Sequence, residues 1–209
     1  MVNFNSNNQT RSKEFVLALG DGGGRRLENL NINYNDHGIE VNNTMQTSEA
    51  GIYAVGDVTG QPMFAHWATA QGLALAQYLL GHKVKFPEEK NNTSVIFSEP
   101  ELASAGLTED KARETGFDVA VAHYNFQQDA RAQIAGRDEG MLKIVYDKST
   151  HQVIGVHALV EGSDALMGEA ALLIKAGLPI EAIAGAIHPH PTLSDSFVQA
   201  IRAVMTNAQ

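Results

Sequence analysis

The segment that decides the fold class spans residues 141–159 and reads MLKIVYDKSTHQVIGVHAL. Residues 141–147 and 152–159 are rich in apolar and β-branched side chains over strand-like lengths, and four polar residues separate them. A connection of this length is typical of a β-hairpin. The segment therefore predicts two neighbouring antiparallel strands.

The surrounding pattern extends this hairpin into an α+β domain. Further strands are predicted over 93–97 and 117–126, with a short helix capped by Thr108 and ended by Gly116 between them. After the hairpin, Ser163 is placed to cap a helix that ends at Gly177. The apolar stripe of that helix, which predicts a core or dimer-interface face, consists of Leu166, Ala170, Leu173 and Ile174. A last helix after Ser194 carries Phe197, Ile201 and Val204. Strands followed by helices favour an antiparallel sheet flanked by helices.

The first part of the chain has a different pattern. Short strands are predicted over 14–20, 38–41 and 51–57, and a helix over 64–80 with Gly81 as its C-terminal cap. The glycine-rich loop at 20–24 lacks the spacing of a dinucleotide-binding fingerprint. A polar connection over 86–92 indicates a domain boundary.

Composition excludes several classes of function. The formal net charge is −9, which argues against nucleic acid and an anionic membrane surface as partners. The 209 residues include no cysteine, so the sequence contains no disulfide, thiolate metal ligand or thiol nucleophile. No apolar run reaches the roughly 18 residues of a spanning helix. We therefore expect a soluble, cytoplasmic protein.

Residues 188–195 read HPHPTLSD and form the strongest candidate for a chemical site. Proline restricts both its own backbone and that of the residue before it, so His188 and His190 lie on stiff chain. A histidine with a carboxylate partner is a common acid–base unit near neutral pH, and Asp195 supplies the carboxylate. The alternative is a proline-stiffened loop with two exposed histidines. A metal site at the two histidines is disfavoured because no further ligand is near in sequence.

Three segments in this order resemble the pyridine nucleotide-disulfide oxidoreductases, and within them the dihydrolipoamide dehydrogenase branch. They are TSEAGIYAVGD at 47–57, MFAH at 63–66 and HPHPTLSD at 188–195. SEPELA at 98–103 and GVH at 155–157 also resemble the dimerisation domain of that family. The resemblance covers the C-terminal part of the family, from about residue 14 onward.

The resemblance implies roles for specific residues. His190 corresponds to the base that accepts the proton of a substrate dithiol, Asp195 to its carboxylate partner and His188 to a supporting histidine. The family has glutamate at the position of Asp195, so the shorter side chain predicts either a looser pair or a compensating backbone. The bond between His190 and Pro191 is expected to be cis, as in the family.

The flavin-binding residues are likewise implied by the resemblance. Gly56 and Asp57 end the second FAD motif, in which the aspartate binds the ribityl hydroxyls of the flavin. The start of the following helix faces the flavin pyrimidine, and its residues are Met63, Phe64, Ala65 and His66. Ordinary alternatives are a strand-end turn and a plain amphipathic helix.

The resulting organisation is a disordered leader at 1–13, a partial central and FAD-binding segment at 14–90, and a dimerisation domain at 91–209. The implied parent enzyme is a homodimeric NAD(P)H:disulfide oxidoreductase that uses FAD and NAD or NADP, with a dithiol or disulfide substrate. The chain alone is expected to be inactive and to bind FAD weakly or not at all. Two alternatives remain open: a stand-alone, non-catalytic dimerisation module, and a subunit of a split flavoenzyme or a glutathione reductase-like member.

Overall fold

The structure is a computed structural model that describes residues 15–18, 31–60 and 62–207, with the backbone alone at 15–18 and 207. Its contacts divide the chain into two units, Met1–Glu88 and Glu89–Gln209. The predicted leader at 1–13 and the glycine-rich loop at 20–24 lie outside the described residues.

The first unit contains a small parallel sheet and one long helix. Strand β1 (Phe15–Ala18) pairs in parallel with β2 (Ile52–Val55), which confirms two of the predicted strands. A 3-10 turn at Gly56–Thr59 follows, and then helix α1 (Ala65–Leu79). The amides of Gly81 and His82 donate to the carbonyls of Tyr78 and Gln77, so Gly81 caps the helix as predicted, with φ of 83°.

The strand predicted at 38–41 is wrong. Ile39 makes only an isolated bridge with Tyr34, across a turn in which the Asn35 side chain accepts from the amides of His37 and Gly38. The Ile39 side chain is buried in a small core that also contains Ala54. The apolar residues at 38–41 therefore reflect core packing rather than a hydrogen-bonded ladder.

The second unit is built on a five-stranded antiparallel sheet with the order β3-β4-β7-β6-β5. The strands are β3 (Thr93–Ile96), β4 (Leu102–Gly106), β5 (Val119–Asn125), β6 (Met141–Asp147) and β7 (Val153–Leu159). The helices are α2 (Glu109–Glu114), α3 (Ala130–Ala135), α4 (Met167–Ala176), α5 (Ile180–Gly185) and α6 (Asp195–Asn207). The architecture is the predicted α+β fold with helices flanking an antiparallel sheet. Strand β4 and helices α3 and α5 were not predicted from the sequence.

One face of this sheet carries the main core. Alternate side chains of β6 belong to the same buried cluster as Phe197 and Ile201 of α6. These β6 residues are Leu142, Ile144 and Tyr146. Leu166, Ala170 and Leu173 are buried in this cluster and Ile174 packs against it. The predicted stripe therefore lies in the core, and it anchors α4 to the sheet.

Helix caps in this unit were predicted with mixed success. The Thr108 hydroxyl accepts from the Lys111 amide, which confirms Thr108 as the N-cap of α2. The prediction for Ser163 is wrong, because its hydroxyl donates to the Glu101 carbonyl and a 3-10 turn at Ser163–Leu166 precedes α4. Across the described ranges, no helix is long and apolar enough to cross a membrane.

Candidate acid–base site

The loop between α5 and α6 brings His190 against Asp195. The His190 Nδ1 and Asp195 Oδ2 atoms are 2.7 Å apart. The imidazole is 67% exposed, whereas the carboxylate side chain is 11% exposed. The bond between His190 and Pro191 is cis, as the resemblance implied. The shorter aspartate thus closes the pair at full hydrogen-bond distance.

Local hydrogen bonds hold this loop in shape. The Thr192 hydroxyl donates to the Pro189 carbonyl over 2.7 Å and lies 3.0 Å from the Ser194 hydroxyl. The Ser196 hydroxyl donates to the Leu193 carbonyl over 2.6 Å. These bonds fix the backbone of the loop, and the residues that follow Asp195 in α6 are buried. The Asp195 carboxylate at the start of α6 therefore has a defined position.

His188 is placed differently from His190. Its side chain is only 8% exposed, and its Nε2 lies 2.9 Å from Glu169 Oε1 on α4. Its Nδ1 atom is buried and has no hydrogen-bond partner among the residues that the structure describes. The bond to Glu169 and the low exposure of the ring favour a supporting role in which His188 ties the loop to α4.

Three histidine–carboxylate pairs occur among the residues that the structure describes. His151 Nδ1 lies 2.5 Å from Glu181 Oε1, and both side chains are about half exposed, as expected of an ordinary surface pair. The pair of His188 is buried on the imidazole side. Only His190 combines an exposed imidazole with a buried carboxylate, which is the arrangement that an acid–base group facing a substrate requires.

The pair borders an open pocket of about 320 Å³. Its lining includes Ile187, His188, His190, Asp195, Gln199 and Arg202. Gln199 was not identified from the sequence, although a four-residue separation from Asp195 places both on one face of a helix. Its Nε2 donates to Asp195 Oδ1 over 3.3 Å.

The surroundings of Tyr124, on β5, shift the pKa of its hydroxyl group. Burial and the charges of Asp129 and Asp195 raise the pKa of Tyr124 to about 12. Tyr124 therefore remains neutral around pH 7, and its hydroxyl donates to Asp129 Oδ2 at 3.5 Å.

The first unit contains the residues that resembled a flavin site. Gly56 has φ of 78°, and a Cβ built on it would lie 3.0 Å from the Ala68 Cβ. The Gly56 amide donates to the buried Gln71 side chain over 2.8 Å. Asp57 is half-buried, and no described residue forms a hydrogen bond or ion pair with its carboxylate. The strand end thus presents an available carboxylate on a tightly packed turn.

The start of α1 carries no capping side chain. Phe64 occupies the N-cap position, Ala65 begins the helix and no acidic residue lies in its first turn. Met63 is 56% exposed, and the Phe64 ring stacks on His66 with centroids 5.1 Å apart. A helix N-terminus of this kind attracts electron-rich groups. Within the described part of the chain, no cluster of three or more potential ligands could hold a metal ion.

Comparison with known proteins identifies the class to which this fold and site belong. Residues 93–201 match the dimerisation domain of the pyridine nucleotide-disulphide oxidoreductases, and residues 2–72 match a second model of the same family. The chain belongs to the pyridine nucleotide-disulphide oxidoreductase family.

Two curated relatives show which members of the family the chain is similar to. The chain is 36% identical over 186 residues to dihydrolipoyl dehydrogenase of Thermus scotoductus, a match that covers 88% of this chain and 40% of the relative. It is 35% identical to leghemoglobin reductase of Glycine max, over 86% of this chain and 34% of the relative. The chain therefore spans well under half the length of these curated relatives.

Solved structures show the same similarity. The HOCl-induced flavoprotein disulfide reductase RclA of Escherichia coli superposes with a TM-score of 0.78 at 28% identity, covering 86% of this chain and 42% of that one. LpdA of Mycobacterium tuberculosis superposes with a TM-score of 0.80 at 25% identity, covering 90% and 41%.

Proposed function

We propose that this chain supplies the dimerisation domain, a flavin-facing segment and the acid–base histidine of a flavin-dependent NAD(P)H:disulfide oxidoreductase of the dihydrolipoyl dehydrogenase type. The observation that carries the proposal is the contact of 2.7 Å between the exposed His190 and the buried Asp195. The relatives named dihydrolipoyl dehydrogenase and flavoprotein disulfide reductase support the reaction class. The chain has no cysteine, so a reacting disulfide must come from another polypeptide segment and the chain is inactive alone.

The geometry assigns a defined role to each nitrogen of His190. A carboxylate only accepts hydrogen bonds, so the proton of the His190–Asp195 contact lies on Nδ1. The neutral ring, which lines the pocket, then carries a lone pair at Nε2. This atom takes the proton of a substrate thiol, and the resulting thiolate attacks a disulfide sulfur and displaces the second sulfur as thiolate. Asp195 stabilises the imidazolium until the proton is returned in the reverse step.

His188 contributes to this role without touching the substrate. Its bond to Glu169 joins the loop to α4, which is anchored in the core. We therefore place His188 beside His190 and Asp195 as a residue that supports the acid–base pair.

The first unit fits a flavin at the positions that the resemblance indicated. The Asp57 carboxylate is available to accept from hydroxyl groups, and a side chain at Gly56 would crowd Ala68. Backbone amides at residues 63–66 and the positive end of α1 favour an electron-rich ring edge. Bound FAD supplies the two-electron chemistry that connects a nicotinamide with a disulfide. NAD and NADP are both compatible with the family.

The proposed assembly is a homodimer, since the second unit matches a dimerisation domain. Its substrate is a dithiol or disulfide that enters the pocket beside His190. Nucleic acid is not part of the proposal, because the chain is strongly acidic.

A chimera tests the acid–base role. The aligned segment of this chain replaces its counterpart in dihydrolipoyl dehydrogenase of Thermus scotoductus, and NAD-dependent dithiol oxidation is measured. His190→Gln is expected to lower the rate by about 10²–10⁴-fold, the usual contribution of general acid–base catalysis, with flavin content unchanged. His151→Gln is the matched control, because it removes an exposed histidine that also pairs with a carboxylate. An active chimera whose rate survives His190→Gln would contradict the assignment.

A further inference from the structure

The second oxygen of the Asp195 carboxylate also has a specific partner. Oδ2 accepts from His190 at 2.7 Å, and Oδ1 accepts from Gln199 Nε2 at 3.3 Å. We propose that Gln199 is a positioning residue that keeps the Asp195 carboxylate turned toward His190. The inference rests on the acid–base role proposed for His190. It adds Gln199 to the residues that support the His190–Asp195 pair.

The need for such a partner follows from the side chain of aspartate. Its terminal torsion is broad, with two equivalent orientations, so the carboxylate has no intrinsic preference for one direction. Asp195 also begins α6, where the amides of residues 195–197 donate to backbone carbonyls, so these amides do not hold its carboxylate. A donor one helical turn further on, at Gln199, occupies one oxygen and leaves the other directed at His190.

The burial of Asp195 makes the hydrogen bond from Gln199 more important. Asp195 is 8% exposed, so water cannot freely replace a lost donor. The nearby Tyr124 hydroxyl is directed to Asp129 and not to Asp195. Among the described residues, the Gln199 amide is the one side chain besides His190 that donates to this carboxylate.

The position of the Asp195 carboxylate determines which tautomer of the neutral His190 ring is favoured. With Asp195 in place, the neutral ring carries its proton on Nδ1 and leaves Nε2 able to accept. If the carboxylate turns away, the ring reverts toward the Nε2–H form that a solvated histidine side chain prefers. In that form the exposed nitrogen carries a proton and cannot accept one from a thiol.

Nitrogen-15 NMR of the full chain tests this directly, without any flavin or redox activity. The ratio of the Nδ1–H to the Nε2–H tautomer of His190 is read from the ring shifts at about pH 8.5, where histidine is neutral. Gln199→Met removes the donor and keeps an unbranched side chain of similar length. We expect it to lower the ratio by roughly three- to tenfold, as for the loss of one hydrogen bond. Gln199→Lys, which restores a donor, should return the ratio toward the starting value.

Two controls make the test decisive. Gln133→Leu removes a glutamine that donates to the Gln127 carbonyl, and it should leave the His190 tautomers unchanged. Gln199→Ala is a second variant for the case that Gln199→Met does not fold. An unchanged ratio in a folded Gln199 variant would overturn the role of Gln199 and leave the acid–base proposal intact. A predominant Nε2–H tautomer in the unsubstituted chain would overturn both.

Discussion

At the scale of single residues, the position of a histidine determines its chemistry. His157 on β7 lies on the sheet face opposite the main core, with Nδ1 3.1 Å from the Ser104 hydroxyl and Nε2 3.0 Å from the Leu107 carbonyl. Burial lowers its pKa, the Lys143 charge lowers it further, and the Leu107 carbonyl opposes the change. His157 is therefore a structural histidine whose neutral form is favoured by burial.

The lowered pKa of His157 predicts a specific pH dependence of stability. Below about pH 6.5 the unfolded chain binds a proton at this position that the folded chain does not, so stability falls as the pH is lowered toward the folded pKa. His157→Gln should reduce this loss by at most about 1.4 kcal/mol per pH unit. The free energy of unfolding in urea, measured between pH 8 and pH 5, checks it. His123→Gln, at an exposed position of β5, should leave the slope nearly unchanged, and equal slopes for both variants would refute the prediction.

At the scale of elements, short helices depend on their caps. Helix α2 has six residues, which is too short to be stable in isolation. It is held by the Thr108 cap and by Glu109, whose carboxylate accepts from Lys143 and Arg113. These two partners lower the pKa of Glu109 to about 2. The start of α2 is thus fixed both to its own next turn and to β6.

Removing the Thr108 cap is expected to destabilise the domain. Thr108→Ala leaves the Lys111 amide without its acceptor and should lower the free energy of unfolding by about 1 kcal/mol. Thr108→Ser retains the hydroxyl and should stay close to the unsubstituted chain. Chemical denaturation compares the three proteins, and equal stability of the alanine and serine variants would show that the cap contributes nothing.

At the scale of the whole molecule, the chain presents only part of a flavin site. Of the flavin-facing groups that the resemblance implies, the described residues of the first unit provide the Asp57 carboxylate and the N-terminus of α1, and the sequence contains no complete dinucleotide fingerprint. These contacts are few for a ligand that carries a pyrophosphate and two ring systems. We therefore expect that retention of FAD requires binding surface from another polypeptide segment.

Retention of FAD by the purified chain can be measured directly. After incubation with FAD and desalting, the purified chain should show no visible flavin absorption. Addition of FAD together with the N-terminal part of a dihydrolipoyl dehydrogenase should restore the bands if the two pieces assemble. A flavin spectrum retained by the chain alone would contradict the prediction and favour a split or reduced flavoenzyme.

The sequence predicted elements well where an apolar run or a cap marks them locally, and poorly where distant contacts decide the structure. The hairpin of β6 and β7 was predicted to within one residue, because two apolar runs flank a short polar turn. The supposed strand at 38–41 was wrong because its apolar residues serve a small core. Ser163 has the right residue type for a cap, but the Glu101 carbonyl engages its hydroxyl from 62 residues away in sequence.

The sequence by itself determined the family, the fold class and the residues of the candidate acid–base pair. Each of these depends on residue types at short spacing, which a linear pattern contains. Only the tertiary structure decided that His190 is exposed and His188 buried, that Asp195 closes the pair at 2.7 Å, and that Gln199 binds its second oxygen. Burial and orientation arise from packing between distant elements such as α4 and α6, and local sequence does not encode that packing in readable form.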